Sequence, residues 1–176
     1  MKMGNRNWAV AISICGLLFA AVVPIGAQEK TVQEKTAQEK KGSERMIAKG
    51  PFDVKMAPAE TAHKEEKAIA RYVLDKVYHG DLEATGTGEM LASMGTVKGS
   101  GTYVAMEIVN GALAGKKGTF ALGHIGTMAH GEQNLSIGVV PDSGTGDLAG
   151  ISGKMKIIIA PDGKHSYELE YEIAKQ

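Results

Sequence analysis

The fold is decided by residues 102–127, which run TYVAMEIVNGALAGKKGTFALGHIGT in one-letter code. Two runs of β-forming residues, 102–109 and 119–127, flank the segment Gly115-Lys116-Lys117-Gly118. Side chains alternate in character along both runs with the period of a β-strand, and helical periodicity is absent. The stretch therefore predicts an antiparallel hairpin with its turn centred on Lys116 and Lys117.

Similar strand and turn signals extend over the rest of the chain beyond residue 50. We expect eight strands, at 52–56, 69–78, 82–94, 102–109, 119–127, 133–140, 148–159 and 164–173. Short connections favour antiparallel neighbours, and closure of the sheet removes exposed edges. Glycines inside strands favour the curvature of a barrel over a sandwich; they are Gly86, Gly88, Gly123, Gly126, Gly150 and Gly153. The prediction is an all-β domain over 50–176, an eight-stranded antiparallel closed barrel, with either a short helix or an extended loop at 60–68.

The first 27 residues have the pattern of a secretory signal peptide. Two basic residues, Lys2 and Arg6, precede the apolar run 9–23, and small residues up to Ala27 offer a cleavage site. The run is shorter than the roughly 20 residues that a membrane-spanning helix needs. We therefore expect cleavage after Ala27 and a secreted or periplasmic protein with no stable membrane span.

Residues 28–49 are predicted to form a charged, disordered tether. Three imperfect copies of a five-residue unit fill 28–41, and they have almost no apolar surface to bury. Five residues is neither a helical nor a coiled-coil period.

Charge and cysteine content exclude several classes of function. The 176 residues include 20 acidic and 20 basic side chains and one cysteine, Cys15. The balanced charge argues against a general binder of nucleic acid or anionic membranes. Because Cys15 lies in the predicted signal peptide, the exported form has no thiol nucleophile and no thiolate metal site. The five histidines lack metal-ligand spacing, and we predict neither a metal nor another cofactor.

Five segments of the predicted barrel occur in a characteristic order: GDLE at 80–83, YVAME at 103–107, GKKGTF at 115–120, SGTGDLAGISG at 143–153 and HSYELEY at 165–171. With them, the chain resembles a family of bacterial proteins of unknown function that is related in fold to plant allene oxide cyclase and dirigent proteins. The resemblance implies an eight-stranded barrel with a partly apolar interior and a homo-oligomer, either a dimer or a trimer. It implies no established activity.

The tripeptide Asp142-Ser143-Gly144 has two interpretations. It resembles the tripeptide of aspartic peptidases, in which two carboxylates share one proton around an activated water. The chain has it once, so a second aspartate would come from a symmetry mate, from Asp147 or from Asp162. In the other interpretation, Pro-Asp-Ser-Gly is a hairpin turn in which Asp and Ser cap the backbone.

Glu107 and His124 are the other candidate catalytic residues. Each shares a strand face with apolar residues, and the predicted hairpin brings the two side chains together directly or diagonally. A carboxylate beside an imidazole in an apolar cavity is suited to act as a general base or to orient a ligand hydroxyl. A structural buried pair, or two side chains that point to solvent, are the alternatives.

The predicted inward faces also carry residues suited to line a space for a ligand, namely Tyr103, Phe120, Leu122 and Tyr167. Our first hypothesis for function is thus an exported, cofactor-free barrel that binds a small lipophilic molecule, or cyclises or isomerises it. The second is an acid hydrolase built on Asp142, and the third is a non-catalytic structural or oligomeric protein of the cell envelope.

Overall fold

The structure, a computed structural model, describes residues 44–60 and 69–174. Its strands are β1 (Met46–Ala59), β2 (Ala70–Tyr78), β3 (Leu82–Met94), β4 (Gly101–Leu113), β5 (Lys116–Ala129), β6 (Glu132–Val139), β7 (Ile151–Ile159) and β8 (His165–Ile173). Each strand pairs antiparallel with its neighbour in sequence, and β8 pairs with β1, which closes the sheet. The predicted eight-stranded antiparallel closed barrel is confirmed.

Strand β1 differs most from its prediction. It was expected over 52–56, but it runs from Met46 to Ala59 and pairs with β8 along its first half. Lys49, Gly50 and Pro51 weaken the local strand signal, and the pairing partner overrides that signal. The predicted end of the tether at residue 49 is therefore wrong by four residues. The predicted signal peptide, tether residues 28–43 and the alternatives for 61–68 lie outside the described residues.

The barrel interior is filled most densely near the end where β2 turns into β3, here called the lower end. Large side chains that are almost completely buried there include Tyr78, Leu82, Leu113, Phe120, Tyr167 and Leu169. Leu148, in a short 3-10 helix (Gly146–Leu148), belongs to the same core. The opposite end, where β3 ends and β4 begins, is the upper end.

The start of β7 is three residues later than predicted. Leu148, expected in the strand, ends the 3-10 helix instead, and β7 begins at Ile151. Gly150, also expected inside the strand, has a φ of +79° and connects the two elements. Glycine is favoured at this position because the backbone is left-handed there, and not because a strand bends.

The turn between β4 and β5 is also displaced from its predicted position. Leu113 pairs with Lys116, so the turn consists of Ala114 and Gly115, and the two lysines belong to β5. Both turn residues have positive φ, 49° and 80°. This is the type I′ geometry whose twist matches that of a tight hairpin.

Replacing Ala114 by Asn is expected to stabilise the protein by about 0.5–1 kcal/mol, because Asn tolerates the left-handed conformation better than Ala does. Urea unfolding followed by circular dichroism measures the change. Ala112→Asn on the adjacent strand is the control and should give no gain. A lower stability of the Ala114→Asn variant would contradict the role assigned to this φ angle.

Among residues 44–60 and 69–174, no helix is long and apolar enough to cross a membrane.

Candidate functional site

Glu107 and His124 both point into the barrel and meet there. Glu107 lies opposite Leu122 in the register, and His124 lies opposite Ala105, so the two approach diagonally across β4 and β5. His124 Nε2 is 3.3 Å from Glu107 Oε2. Glu107 is 1% exposed and His124 is 5% exposed. Of the arrangements expected from the sequence, the structure has the diagonal one.

Glu107 and His124 are predicted on the correct face of the sheet even though the predicted turn is displaced, and the reason is geometrical. A turn centred on Lys116 and Lys117 would pair Glu107 with Gly126, four residues from its partner in the structure, Leu122. Side chains alternate between the two faces with a period of two, so an even register error keeps every residue on its correct face.

Lys76 and Tyr78 of β2 complete the cluster around Glu107. Lys76 Nζ donates a hydrogen bond to Glu107 Oε2 at 2.6 Å, and the Tyr78 hydroxyl donates to Oε1 at 2.8 Å. Lys76 Nζ also donates to the Tyr78 hydroxyl at 3.3 Å. Both carboxylate oxygens thus have a donor in a part of the barrel that solvent hardly reaches. We call Lys76, Tyr78, Glu107 and His124 the inner cluster.

Lys76 and Tyr78 are not among the predicted site residues, although β2 contains a usable signal. Leu74, Lys76 and Tyr78 alternate with exposed Val73, Asp75 and Val77. A lysine in phase with buried Leu and Tyr residues stands at an inward position, and a buried lysine needs a carboxylate partner.

Electrostatics keep Glu107 ionised despite its burial. Loss of solvation by itself raises the pKa of a buried carboxyl, but the neighbouring His124, the Lys76 ammonium and the Tyr78 hydroxyl outweigh this effect and lower the pKa of Glu107. Burial, followed by the negative charge of Glu107, raises the pKa of Tyr78. The cluster therefore holds a carboxylate and a protonated phenol side by side.

Aromatic rings surround the charged end of Lys76. Its Nζ lies 5.4 Å from the centre of the Phe52 ring and 5.7 Å from that of Tyr78. Cation–π contacts at such distances offset part of the cost of removing an ammonium from water. The Lys76 ammonium is consequently stabilised by the Glu107 carboxylate and by the faces of two aromatic rings.

The lowered pKa of Glu107 predicts a loss of stability in acid that depends on this residue. Its contribution is fully present above the unfolded-state pKa of about 4.3 and disappears as the pH falls through the lower folded-state value. We expect the free energy of unfolding, measured with urea from pH 7 down to pH 3, to fall less steeply below about pH 4 in Glu107→Gln than in the wild type. Glu132→Gln, which removes an exposed carboxylate, should keep the wild-type slope. Identical slopes for wild type and Glu107→Gln would contradict the assignment.

His124 contributes a polar atom without a partner. Although Nε2 is close to Glu107, their alignment does not make a hydrogen bond, and within the described part of the chain this buried nitrogen has no other hydrogen-bond partner. A buried imidazole nitrogen in that state is able to accept or donate one further hydrogen bond.

A cavity of about 280 Å³ lies at the upper end of the barrel. Its lining includes four methionines and two tyrosines, namely Met56, Met90, Met94, Met128, Tyr72 and Tyr103. Among residues 44–60 and 69–174, no charged side chain lines this cavity, which we call the upper cavity. Tyr103, predicted as a ligand-binding residue, is half-buried here, and its ring lies against Gly126, one inward position above His124.

The other three residues predicted to bind a ligand belong to the packed core. Phe120 and Leu122 are almost completely buried in it. The hydroxyl of Tyr167 accepts a hydrogen bond from the Leu82 amide at 2.8 Å and donates one to the His79 carbonyl at 3.0 Å. Tyr167 thus ties β8 to the turn between β2 and β3.

Asp142 lies in an exposed turn between β6 and the 3-10 helix. Its φ is +59°, a conformation that Asp tolerates better than most residues. Ser143 accepts a hydrogen bond from the Ala121 amide at 3.0 Å and donates one to the Val140 carbonyl at 2.7 Å. These are turn functions, and the structure does not bring Asp142 together with Glu107 and His124. No group of three potential metal ligands occurs within residues 44–60 and 69–174.

Fold and site together define a class: a small closed antiparallel barrel with an ionic cluster in its interior and an apolar cavity at one end. The chain belongs to the family described as "Protein of unknown function (DUF3224)", whose characteristic sequence matches residues 48–171. A family member of unknown function from Shewanella oneidensis MR-1, whose crystal structure is known, is 41% identical in sequence to this chain. The two structures superpose with a TM-score of 0.71. The match covers 76% of this chain and all of that one. No curated protein matches significantly.

Proposed function

We propose that the protein binds a small, uncharged, largely apolar molecule in the upper cavity. The observation that carries this proposal is the lining of methionine and tyrosine side chains without a formal charge. Methionine side chains are flexible and polarisable and adapt to irregular apolar ligands. The hydroxyls of Tyr72, Thr102 and Tyr103 add polar groups that suit one oxygen or nitrogen on the ligand. The volume of about 280 Å³ limits the ligand to a small one.

Fluorescence titration with N-phenyl-1-naphthylamine, an uncharged lipophilic probe, tests this proposal. Met90→Lys places a charge in the upper cavity and should weaken binding at least ~tenfold, because an unpaired ammonium is costly to bury. Ile158→Lys is the matched control, since Ile158 faces outward from β7. Binding that survives Met90→Lys, or that is lost only in Ile158→Lys, would overturn the assignment of the ligand to the upper cavity.

Catalysis by the same barrel is a second candidate, favoured by the unpartnered Nε2 of His124. This nitrogen beside the ionised Glu107 is suited to move a proton during cyclisation or isomerisation of the bound molecule. Tyr103 lies between the upper cavity and His124, so its ring would have to swing aside. Molecules extracted from the native protein should be converted by the wild type and not by His124→Gln, as followed by chromatography. Equal conversion by both proteins would exclude this role of His124.

The likeness to allene oxide cyclase and dirigent proteins belongs to this proposal as well. It is supported by the eight-stranded antiparallel barrel and by the segments quoted from the sequence. Export is likewise a proposal, supported by the basic, apolar and small-residue pattern of residues 1–27. N-terminal sequencing of protein recovered from the periplasm or medium should begin at Gln28, and recovery of the uncut chain from the cytoplasm would refute export.

A further inference from the structure

The outer surface of the barrel is unequal on its two sides. Around β7, β8 and β1 it is mainly charged, with outward residues of opposite sign on neighbouring strands, as in the pairs Lys154↔Glu170 and Lys156↔Glu168. Two exposed isoleucines, Ile47 and Ile158, lie among these charges. Lys49 adds an ion pair of 2.8 Å with Glu168 on the next strand. Such a surface is suited to contact with water.

The opposite side, across β3, β4 and β5, has a group of adjoining apolar side chains on the outside. Five large side chains there are each 47–58% exposed, namely Leu91, Val104, Met106, Ile108 and Ile125. Register pairs link them into one area, with Leu91 opposite Val104 and Val104 opposite Ile125. We call these five residues the β3–β5 patch. Strand β4 therefore has apolar side chains on its outward face at Val104, Met106 and Ile108, where alternation against solvent would place polar ones.

We propose that the β3–β5 patch is the interface of a homodimer in which two copies of this chain meet about a two-fold axis. Half-exposed, the five side chains offer about 500 Å² of apolar surface, within the range of the largest patches on single proteins. A stable interface covers about 800 Å² on each partner, with a core that is about 65% apolar. The patch thus supplies the apolar part of an interface of ordinary size.

The shape and charge of the patch favour a second copy as its occupant. A groove of about 670 Å³ runs over the patch, and Gly123 leaves a hollow there, with the Met106 sulfur 3.7 Å from where its side chain would begin. A protruding methionine beside a hollow is complementary to the same pair related by two-fold rotation.

Among residues 44–60 and 69–174, the groove over the patch is lined by one acidic and one basic side chain, and their charges cancel. Arg71 and Glu89 line the groove and form a double hydrogen bond, 3.0 Å from Nε and 2.6 Å from an outer nitrogen. A charged partner finds no net opposite charge there, and an anionic membrane surface finds no excess of basic residues. A second copy of the chain needs neither a net opposite charge nor an excess of basic residues at this surface.

Sedimentation velocity of the full chain over a dilution series tests the proposal. The wild type should have twice the mass of one chain, and Met106→Glu should weaken the association at least ~tenfold by burying an unpaired carboxylate. Ile158→Glu is the matched control, because Ile158 is an outward apolar residue on β7 with similar exposure, 51% against 54%. It should leave the mass unchanged.

A second variant protects the test against misfolding of Met106→Glu. Gly123→Val fills the hollow without adding a charge and should also produce single chains with the wild-type circular dichroism spectrum. A single-chain wild type, or an assembly that survives both substitutions, would overturn the proposal. A single-chain wild type that sediments with phosphatidylcholine vesicles would overturn it too and would assign the patch to a lipid surface.

Discussion

The substitution Glu107→Gln is expected to lower the free energy of unfolding by about 3–5 kcal/mol at pH 7. Gln has nearly the volume of Glu, so the change removes a charge without opening a cavity. It leaves the Lys76 ammonium buried without its counter-charge, and an uncompensated buried charge costs far more than a lost surface ion pair. Small domains have a total stability of only about 5–15 kcal/mol, so the loss should be visible in any unfolding experiment.

A double-mutant cycle separates the ion pair from other effects of the substitution. Adding Lys76→Met to Glu107→Gln removes the stranded ammonium and keeps an unbranched apolar chain in its place. The double variant should therefore be more stable than Glu107→Gln alone, with a coupling energy of about 1–3 kcal/mol. Arg71→Met with Glu89→Gln is the control cycle for an exposed pair, and its coupling should be much smaller. Additive losses at Lys76 and Glu107 would show that the two side chains do not depend on each other.

Sequence alternation was sufficient to place Glu107 and His124 in the interior, but it did not identify their partner. Period-two patterning assigns a face to each residue, and both residues stand in phase with apolar neighbours. Lys76 was missed because lysines are almost always exposed, so an isolated lysine in a strand is ordinarily assigned to solvent. Its partner is 31 residues away, and only closure of the barrel decides which inward residues meet.

The strand boundaries show the same division between local and distant causes. Strand β3 was predicted to the residue, because its alternation lies between clear turn signals. The first half of β1 has Gly50 and Pro51 and gains its strand conformation from β8 at the other end of the domain. Pairing between distant strands therefore supplies what local propensity lacks.

The glycines inside strands were attributed to curvature, and the structure gives a more specific reason for two of them. At Gly126 a side chain would overlap the ring of Tyr103. At Gly86, a β-carbon would overlap Oε1 of Glu107 and lie 3.1 Å from a ring carbon of Tyr78. In both cases the missing side chain makes room for a functional candidate on a neighbouring strand, which composition alone does not reveal.

Gly86→Ala is consequently expected to destabilise the protein by about 3 kcal/mol, through overpacking and displacement of the Glu107 carboxylate from Lys76. Gly138→Ala is the matched control, because Gly138 is also a strand glycine and the nearest atom to its β-carbon would be 3.9 Å away. It should be neutral or slightly stabilising, since alanine restricts the unfolded chain. Urea unfolding measures both variants.

The cause of the Gly86 effect is tested in a background without the carboxylate. Glu107→Ala removes the overlap with the carboxylate and leaves the Tyr78 ring 3.1 Å from the added carbon, so the further change Gly86→Ala should cost less than about 1 kcal/mol. An undiminished cost in that background would mean that the backbone or the Tyr78 ring, and not the Glu107 carboxylate, requires glycine at position 86. A diminished cost would tie this glycine to the inner cluster, because the residue without a side chain and the buried carboxylate would then occupy one shared volume.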